Sequence, residues 1–327
     1  MKAVVLEGFG DVQVMRVDEI DRPEPAAGQV LIKVAASSVN RPDIIQRQGH
    51  YPPPKGESEI LGLEVAGTIA TLGTNVDDFD LGERVMALIG GGGYAQYAVA
   101  HAGHVLRMPE RLSFEQAACV CETYITAYLN IFRGARLRDG ETILLHGGGG
   151  GVNTAAVQLC KALTPACRII VTASPAKLER VAELGADLVI DYRSEDFAQA
   201  VREFTDGRGV DVILDHIGAA YFDANLKALA VGGRLAIIAT MGGREATINL
   251  ARLMVKRQTI IGSVLRPRPI DEKAAIIADF NEVVMPLFAD GRIVPLIHQV
   301  YPIAEVVEAH TTMEASAHFG KIVLSFE

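Results

Sequence analysis

The stretch that decides the fold is Glu141-Thr-Ile-Leu-Leu-His-Gly-Gly-Gly-Gly-Gly-Val-Asn-Thr-Ala-Ala-Val-Gln158. Residues 142–145 form a short apolar run, five glycines stand at 147–151, and 152–163 is apolar and helix-forming. Strand, glycine turn and helix in that order open a dinucleotide-binding unit. Glycine is needed because a pyrophosphate must approach the main chain, and the helix start offers N–H groups with a partial positive charge. A second glycine run, 90–93, lacks that context. No helix follows it; the alternating Tyr94-Ala-Gln-Tyr-Ala-Val99 does, so it reads as a turn or bulge.

Working outward, strands and helices alternate on both sides of the glycine turn. Strands are expected at 142–146, 168–173, 188–190, 212–215, 235–239 and 259–264, with helices at 152–163, 175–184, 195–205 and 221–229. Ser174-Pro175 is a helix start, with Ser as N-cap and Pro in the first position. Six strands with helical crossovers make a doubly wound parallel sheet. A helix is expected over 114–132, another near 273–289, and a last strand over 320–326. The first ~120 residues read differently. Strand-like runs at 3–6, 30–35, 67–72, 84–88 and 94–99 are separated by Pro- and Gly-rich turns, the pattern of a mostly β domain.

The chain has 327 residues, of which 49% are hydrophobic and 22% charged, enough for two domains with large cores. A net charge of -9 argues against nucleic acid or an anionic membrane as partner. No apolar run reaches the length of a membrane span, and the N-terminus lacks a signal-peptide pattern. The cysteines, Cys119, Cys121, Cys160 and Cys167, form no C-x-x-C motif. They read as buried free thiols in a reducing cytoplasm.

A coenzyme fold placed after a β-rich N-terminal domain resembles the medium-chain dehydrogenase/reductase superfamily. More narrowly, the chain is similar to its zinc-independent quinone oxidoreductases. The resemblance is carried by Val34-Ala-Ala-Ser-Ser-Val-Asn-Arg-Pro-Asp43, Gln46-Arg-Gln-Gly-His-Tyr-Pro52, Leu61-Gly-Leu-Glu-Val-Ala-Gly67, Ile213-Leu-Asp-His-Ile-Gly218, Met241-Gly-Gly243 and Gly320-Lys-Ile-Val-Leu324. It implies an α/β chain with a β-rich GroES-like catalytic domain, residues 1–122 and 267–327, and a Rossmann coenzyme domain, residues 123–266. Zinc-dependent members carry a cysteine in the first motif and Gly-His-Glu in the third. Here those positions hold Asn40 and Leu63, and only Glu64 remains. Zinc needs soft or imidazole ligands at fixed spacing, so no metal is expected. His101 and His104 lack a third ligand and read as surface residues.

The second strand ends Val171-Thr-Ala-Ser174 without the acid that binds a ribose 2′-hydroxyl in NAD enzymes. Ser174 and Lys177 can instead bind a 2′-phosphate, so the expected coenzyme is NADPH. The resemblance adds Tyr192 to that pair. Gly150, Gly151 and Val152 are expected at the pyrophosphate. The resemblance and the strand ends bring Thr126, Gly218, Met241, Gly242, Gly243, Leu265, Arg266 and Phe319 to the coenzyme. The resemblance also places Asn40, Asp43 and Tyr51 around the substrate, with Tyr51 a donor to a quinone oxygen or an aromatic wall, and Asn40 a substrate contact or a structural residue. His216 reads as a satisfied strand-end histidine. Asn153 stands where relatives carry a third glycine, and is expected to push helix from strand or point toward the coenzyme.

These readings imply zinc-free, NADPH-dependent reduction of quinones by a cytoplasmic homodimer joined along the edge strand 259–264. Two alternatives stand beside it. One is reduction of activated C=C bonds in enones, enals or enoyl thioesters. The other is a non-catalytic NADPH-binding protein.

Overall fold

The computed structural model describes residues 1–326. The chain divides into two compact units, Met1–Ile125 with Leu265–Glu327, and Thr126–Val264.

The first unit is β-rich. Strands β1 (Lys2–Leu6) and β2 (Met15–Glu19) pair antiparallel. A seven-stranded sheet is built from β3 (Gln29–Val39), β4 (Glu64–Leu72), β5 (Arg84–Leu88), β6 (Tyr97–His101) and β7 (Val105–Arg107). Two strands from the C-terminal segment, here numbered last in chain order as β14 (Ile297–Pro302) and β15 (Lys321–Ser325), complete it. The order is β14-β15-β3-β4-β5-β7, with β6 also on β3. β3 runs several residues beyond its expected end because its small residues Ala36, Ser37 and Ser38 lie against β15. It feeds two cores, Val39 with Ile44, Tyr94, Ile322 and Leu324 in one, Val30, Ile32 and Val34 with Val65, Ile69 and Val85 in the other. Burying aliphatic side chains on both sides of one strand stabilises the unit by roughly 1.5–3 kcal/mol per side chain.

The second unit holds six parallel strands: β8 (Thr142–His146), β9 (Arg168–Ala173), β10 (Leu188–Asp191), β11 (Val210–Asp215), β12 (Leu229–Ile237) and β13 (Thr259–Gly262). Their order, β10-β9-β8-β11-β12-β13, reverses between β8 and β11. That is the doubly wound order whose switch point receives a dinucleotide. β8 is wholly buried, which accounts for its unbroken apolar run. The glycine turn leads into the helix Gly151–Leu163, and β13 is an edge strand.

Two expected elements are corrected. The helix expected over 114–132 is broken into Phe114–Ala117, Thr123–Tyr128 and a π-helical turn, Leu129–Gly134. The break has an identifiable cause. The Glu122 N–H, which an unbroken helix would spend on the residue 118 carbonyl, is taken by Glu64 Oε2 at 2.8 Å. At Ser174 a short 3-10 turn, Pro175–Lys177, precedes the helix Leu178–Glu183, and the Ser174 side chain makes no capping bond.

Candidate active site

In the second unit the residues expected to bind the coenzyme gather at the carboxyl ends of the strands. The helix Gly151–Leu163 begins at Gly150, which carries no side chain to cap it. Its first N–H groups, with Gly151 and Val152, are therefore those an anion can use. The glycines differ in what a side chain would meet. At Gly148 a Cβ would lie 2.5 Å from Val171, so this glycine serves packing. At Gly149 it would meet the Lys177 side chain, 3.0 Å from Nζ, so the lysine reaches across the turn. At Gly150 it would meet only the Gly147 carbonyl at 3.6 Å, leaving space for a phosphate. A helix start without a cap, open space above it and a lysine alongside suit a pyrophosphate-bearing coenzyme.

Asn153 corrects its expectation. Its side chain does not face outward. It is buried, and its Nδ2 donates to the Gly147 carbonyl at 2.9 Å and to the His146 carbonyl. Its Oδ1 finds no partner. The amide thus straps the first glycine to the helix. Beneath it His146 accepts from Thr172 Oγ1 at 3.0 Å and donates to Asn225 Oδ1 at 2.8 Å, and Asn225 donates to Asp215 at 3.1 Å. Burial lowers the His146 pKa to about 3, so the ring is neutral and its tautomer is set by these bonds. His216 lies over Gly147, 2.5 Å from where a Cβ would stand.

Ser174 and Lys177 are half-buried at the end of β9, and Tyr192 is exposed just past β10. Two loops are laced together at the ends of β11 and β12. Met241 and Gly242 donate to the carbonyls of His216 and Ile217, and Ala219 donates to Gly243. Gly218 has φ +80 and a Cβ there would strike the Gly243 carbonyl at 2.8 Å, so only glycine permits the lacing. Thr126 is half-buried, and its carbonyl accepts from Asn130 at 2.8 Å.

In the first unit a buried polar group stands where zinc-dependent members place ligands. Lys321 Nζ donates to Asn40 Oδ1 at 2.5 Å and Glu64 Oε1 at 3.0 Å. The same carboxylate oxygen accepts from Ser38 Oγ at 2.6 Å and Asn40 Nδ2 at 3.0 Å. Both partners of the ion pair are essentially buried. An ammonium thus neutralises the carboxylate, with hydrogen bonds meeting its remaining lone pairs. Neither Lys321 nor Glu122 was singled out by sequence. The available signal for Lys321 was a lysine opening the otherwise apolar Ile322-Val-Leu324, which requires a buried partner.

Several expected roles change. Asp43 has no exposed surface. Its oxygens accept from the N–H of Asn40 at 2.7 Å and Gly62 at 3.0 Å, and from Tyr94 Oη at 3.2 Å. It caps the helix Arg41–Arg47 and is removed from the residues that can touch substrate. Asn40 is likewise committed to the ion pair and acts as a structural residue. Behind Asp43, Arg47 donates to His310 Nδ1 at 3.2 Å, and the far ring nitrogen meets Tyr94 Oη at 3.1 Å.

The Arg266 side chain does not offer itself to a coenzyme carboxamide. It is buried in the first unit, bonding Gly90 O at 2.8 Å, Tyr51 O at 3.3 Å and Gln46 Oε1 at 2.8 Å. Its guanidinium also lies 5.2 Å from the Tyr51 ring centre. Tyr51 itself is half-buried, and burial, then the Glu122 charge, raises its pKa. Its hydroxyl is therefore a neutral donor. Leu265 and Phe319 are buried.

His104 is buried rather than on the surface; it meets the Ile270 carbonyl at 3.0 Å and burial lowers its pKa to about 4. Among the described residues no three His, Cys, Asp or Glu side chains are grouped to hold a metal ion. All four cysteines are buried and free. No helix among the described residues is long and apolar enough to cross a membrane.

Comparison with known proteins identifies the family. Residues 26–110 match the alcohol dehydrogenase GroES-like domain, and 151–286 the zinc-binding dehydrogenase family. Human quinone oxidoreductase is 32% identical over 331 residues, covering 99% of this chain and 97% of its own. A mycobacterial protein solved in complex with NADPH is 30% identical, with TM-score 0.87 and full coverage of both chains. The CurK enoyl reductase is 26% identical with TM-score 0.87, covering 100% of this chain and 99% of its own. The chain belongs to the medium-chain dehydrogenase/reductase superfamily, in its zinc-independent quinone oxidoreductase branch. It is an NAD(P)H-dependent oxidoreductase of that type.

Proposed function

We propose that the chain reduces activated C=C bonds, in enals, enones or enoyl thioesters, using NADPH and no metal. The observation that carries this reading is Tyr51: burial holds its hydroxyl neutral, and the Arg266 guanidinium lies 5.2 Å from its ring centre. Such donors stabilise negative charge developing on a carbonyl oxygen conjugated with the reacting double bond. Likeness over the whole chain to a structure described as an enoyl reductase supports it. Quinone reduction is the second reading, favoured by the human relative; a quinone oxygen would meet the same hydroxyl.

NADPH supplies the hydride when bound. Ser174, Lys177 and Tyr192 are assigned to its 2′-phosphate, and Gly150, Gly151 and Val152 to its pyrophosphate. Thr126, Gly218 and Met241–Gly243 are assigned to the nicotinamide half, with the backbone of Leu265 and Phe319. The protein's part is to fix the coenzyme and hold the acceptor against donors. Four reduced thiols fit a cytoplasmic protein. A homodimer would pair β13 with its copy; the exposed apolar Leu250, Met254, Val255 and Val264 nearby suit burial there.

An NADPH-oxidation screen over enones, enoyl thioesters and quinones tests the reading. Turnover of C=C acceptors is expected. Turnover of quinones alone favours the second reading, and NADPH binding without turnover of any acceptor overturns catalysis.

A further inference from the structure

Tyr51 is followed by Pro52, Pro53 and Pro54, none of which has an N–H to tie the segment to its surroundings. The hold comes from Arg266, which sits in a turn closed by the Arg268 N–H on the Leu265 carbonyl at 3.2 Å. Lys273 Nζ donates to the Arg266 carbonyl at 3.3 Å, so the main chain that carries the guanidinium is fixed as well. The guanidinium then reaches three elements of the first unit. Nη1 donates to the Tyr51 carbonyl at 3.3 Å, Nε to the Gly90 carbonyl at 2.8 Å, and Nη2 to Gln46 Oε1 at 2.8 Å on the helix Arg41–Arg47. Gln46 is itself held, its Nε2 donating to the Glu59 carbonyl at 2.9 Å. The same guanidinium lies over the Tyr51 ring, 5.2 Å from its centre, within range of the ring's negative face. One side chain thus grips Tyr51 both by its main chain and by its ring.

The hydroxyl is left unspent by that grip. Tyr94 Oη is engaged by Asp43 and His310, at 3.2 and 3.1 Å. Among the described residues the Tyr51 hydroxyl makes no hydrogen bond. Arg266 is also a buried cation whose three hydrogen-bond partners are uncharged oxygens. The carboxylates whose charge reaches it, Asp43, Glu122 and Glu57, are not among them. For packing alone an apolar side chain of similar volume would serve as well, so the charge and the fork point to another use. We propose that Arg266 is a positioning residue for reduction: it fixes the place and tilt of the Tyr51 ring, so that the hydroxyl is already aimed when negative charge develops on the acceptor's oxygen. The inference rests on the donor role that the proposed reaction gives Tyr51. Such a donor acts only when it lies within hydrogen-bond distance of the place the oxyanion will occupy. A lysine could not do the same, because a single ammonium cannot face two carbonyls, an amide and a ring at fixed angles.

Arg266→Lys tests this, since it keeps the charge and loses the fork. Tyr51→Phe should lower enone kcat by about 10²–10³-fold. Arg266→Lys should lower it by about 10–10²-fold, with NADPH affinity unchanged. Made on top of Tyr51→Phe, Arg266→Lys should cost less than about twofold more, because the hydroxyl it aims is gone. A second readout needs neither coenzyme nor acceptor. In protein labelled with 3-fluorotyrosine, the fluorine resonance that Tyr51→Phe removes should move and broaden in Arg266→Lys. If Arg266→Lys does not fold, Gln46→Leu takes its place: it removes one of the three acceptors, and the same resonance should move with a smaller loss of kcat. An unmoved resonance overturns the hold on Tyr51. Losses in kcat that multiply in the double variant overturn the catalytic use of that hold and leave Arg266 a structural residue. If the wild type turns over quinones alone, the same cycle is read with a quinone. A wild type that turns over no acceptor overturns the proposed reaction and this inference with it, and does so before any variant is made.

Discussion

The molecule contains two glycine runs that look alike in sequence and do opposite things. At 90–93 the missing side chains make room for the protein's own chain. A Cβ on Gly91 would stand 2.2 Å from the Ser58 carbonyl, one on Gly90 2.3 Å from the Glu57 carboxyl, and one on Gly93 2.9 Å from Gly62. At 147–151 the crowding eases toward the helix, until Gly150 faces only one carbonyl at 3.6 Å. The first run is filled by structure, and the second keeps a vacancy at a helix N-terminus. A glycine run thus marks close approach, and only its context tells whether protein or ligand approaches.

That contrast can be broken most forcefully at Gly91. Gly91→Ala forces a methyl into backbone and should cost about 3 kcal/mol or prevent folding. Gly150→Ala, in an ordinary φ region, should cost under about 1 kcal/mol of stability yet weaken NADPH by about tenfold or more. Urea unfolding and coenzyme titration of the two variants check the pair; equal stability losses would erase the distinction.

Lys177→Ala sharpens the second region. Removing a charge-assisted phosphate contact should cost about 1.5–3 kcal/mol of NADPH binding and leave NADH nearly untouched. Equal losses measured for both coenzymes would remove Lys177 from the 2′-phosphate.

A smaller effect is expected at Asn153. Replacing the strap by glycine loses the bonds to His146 and Gly147 and adds backbone freedom. Asn153→Gly should lower stability by about 1 kcal/mol and change NADPH affinity by less. Abolished binding in a titration would make Asn153 a ligand residue.

A further effect expected is one of pH. The folded Glu122 carboxyl sits near 8 against an ordinary 4.5. Its raised value means that its contribution to stability is complete below the ordinary value and is lost as pH rises through about 8. Glu122→Gln does not titrate. Its melting temperature relative to wild type should therefore rise from acid to mildly alkaline pH. A constant difference would show that Glu122 ionises alike in both states.

The legible parts of the fold were those fixed by local pattern. β5, β8 and β9 lie where apolar runs between turn residues put them, and the glycine turn opens its helix as its spacing demands. What local pattern could not show were features set by distant partners. The helix after Ser113 reads as continuous, and it breaks because a carboxylate 58 residues upstream captures one N–H. β7 has three residues and β14 reads partly polar, so neither carries a strong period. At the candidate site, the family resemblance put Asp43 at the substrate, and the end of the sixth strand put Arg266 at the coenzyme. Their partners, Gly62 and Tyr94 for one, Gly90 and Gln46 for the other, turn them from contacts into supports. Glu122 owes its raised carboxyl first to burial and then to Glu64, whose own partner Lys321 lies 257 residues further along and leaves no local trace.

The ion pair has a consequence for the order of events during synthesis. The coenzyme-type unit is one continuous segment, Thr126–Val264, and can fold once that segment has emerged. The first unit is interrupted by it. Until Lys321 is made, Glu64 has no cation to meet in the interior, and β3 lacks its β15 neighbour along residues 36–39. The N-terminal half must therefore wait, with an unpaired sheet edge and an uncompensated carboxylate, while the later unit takes shape. The longest delay in building this protein falls on the part that emerges first.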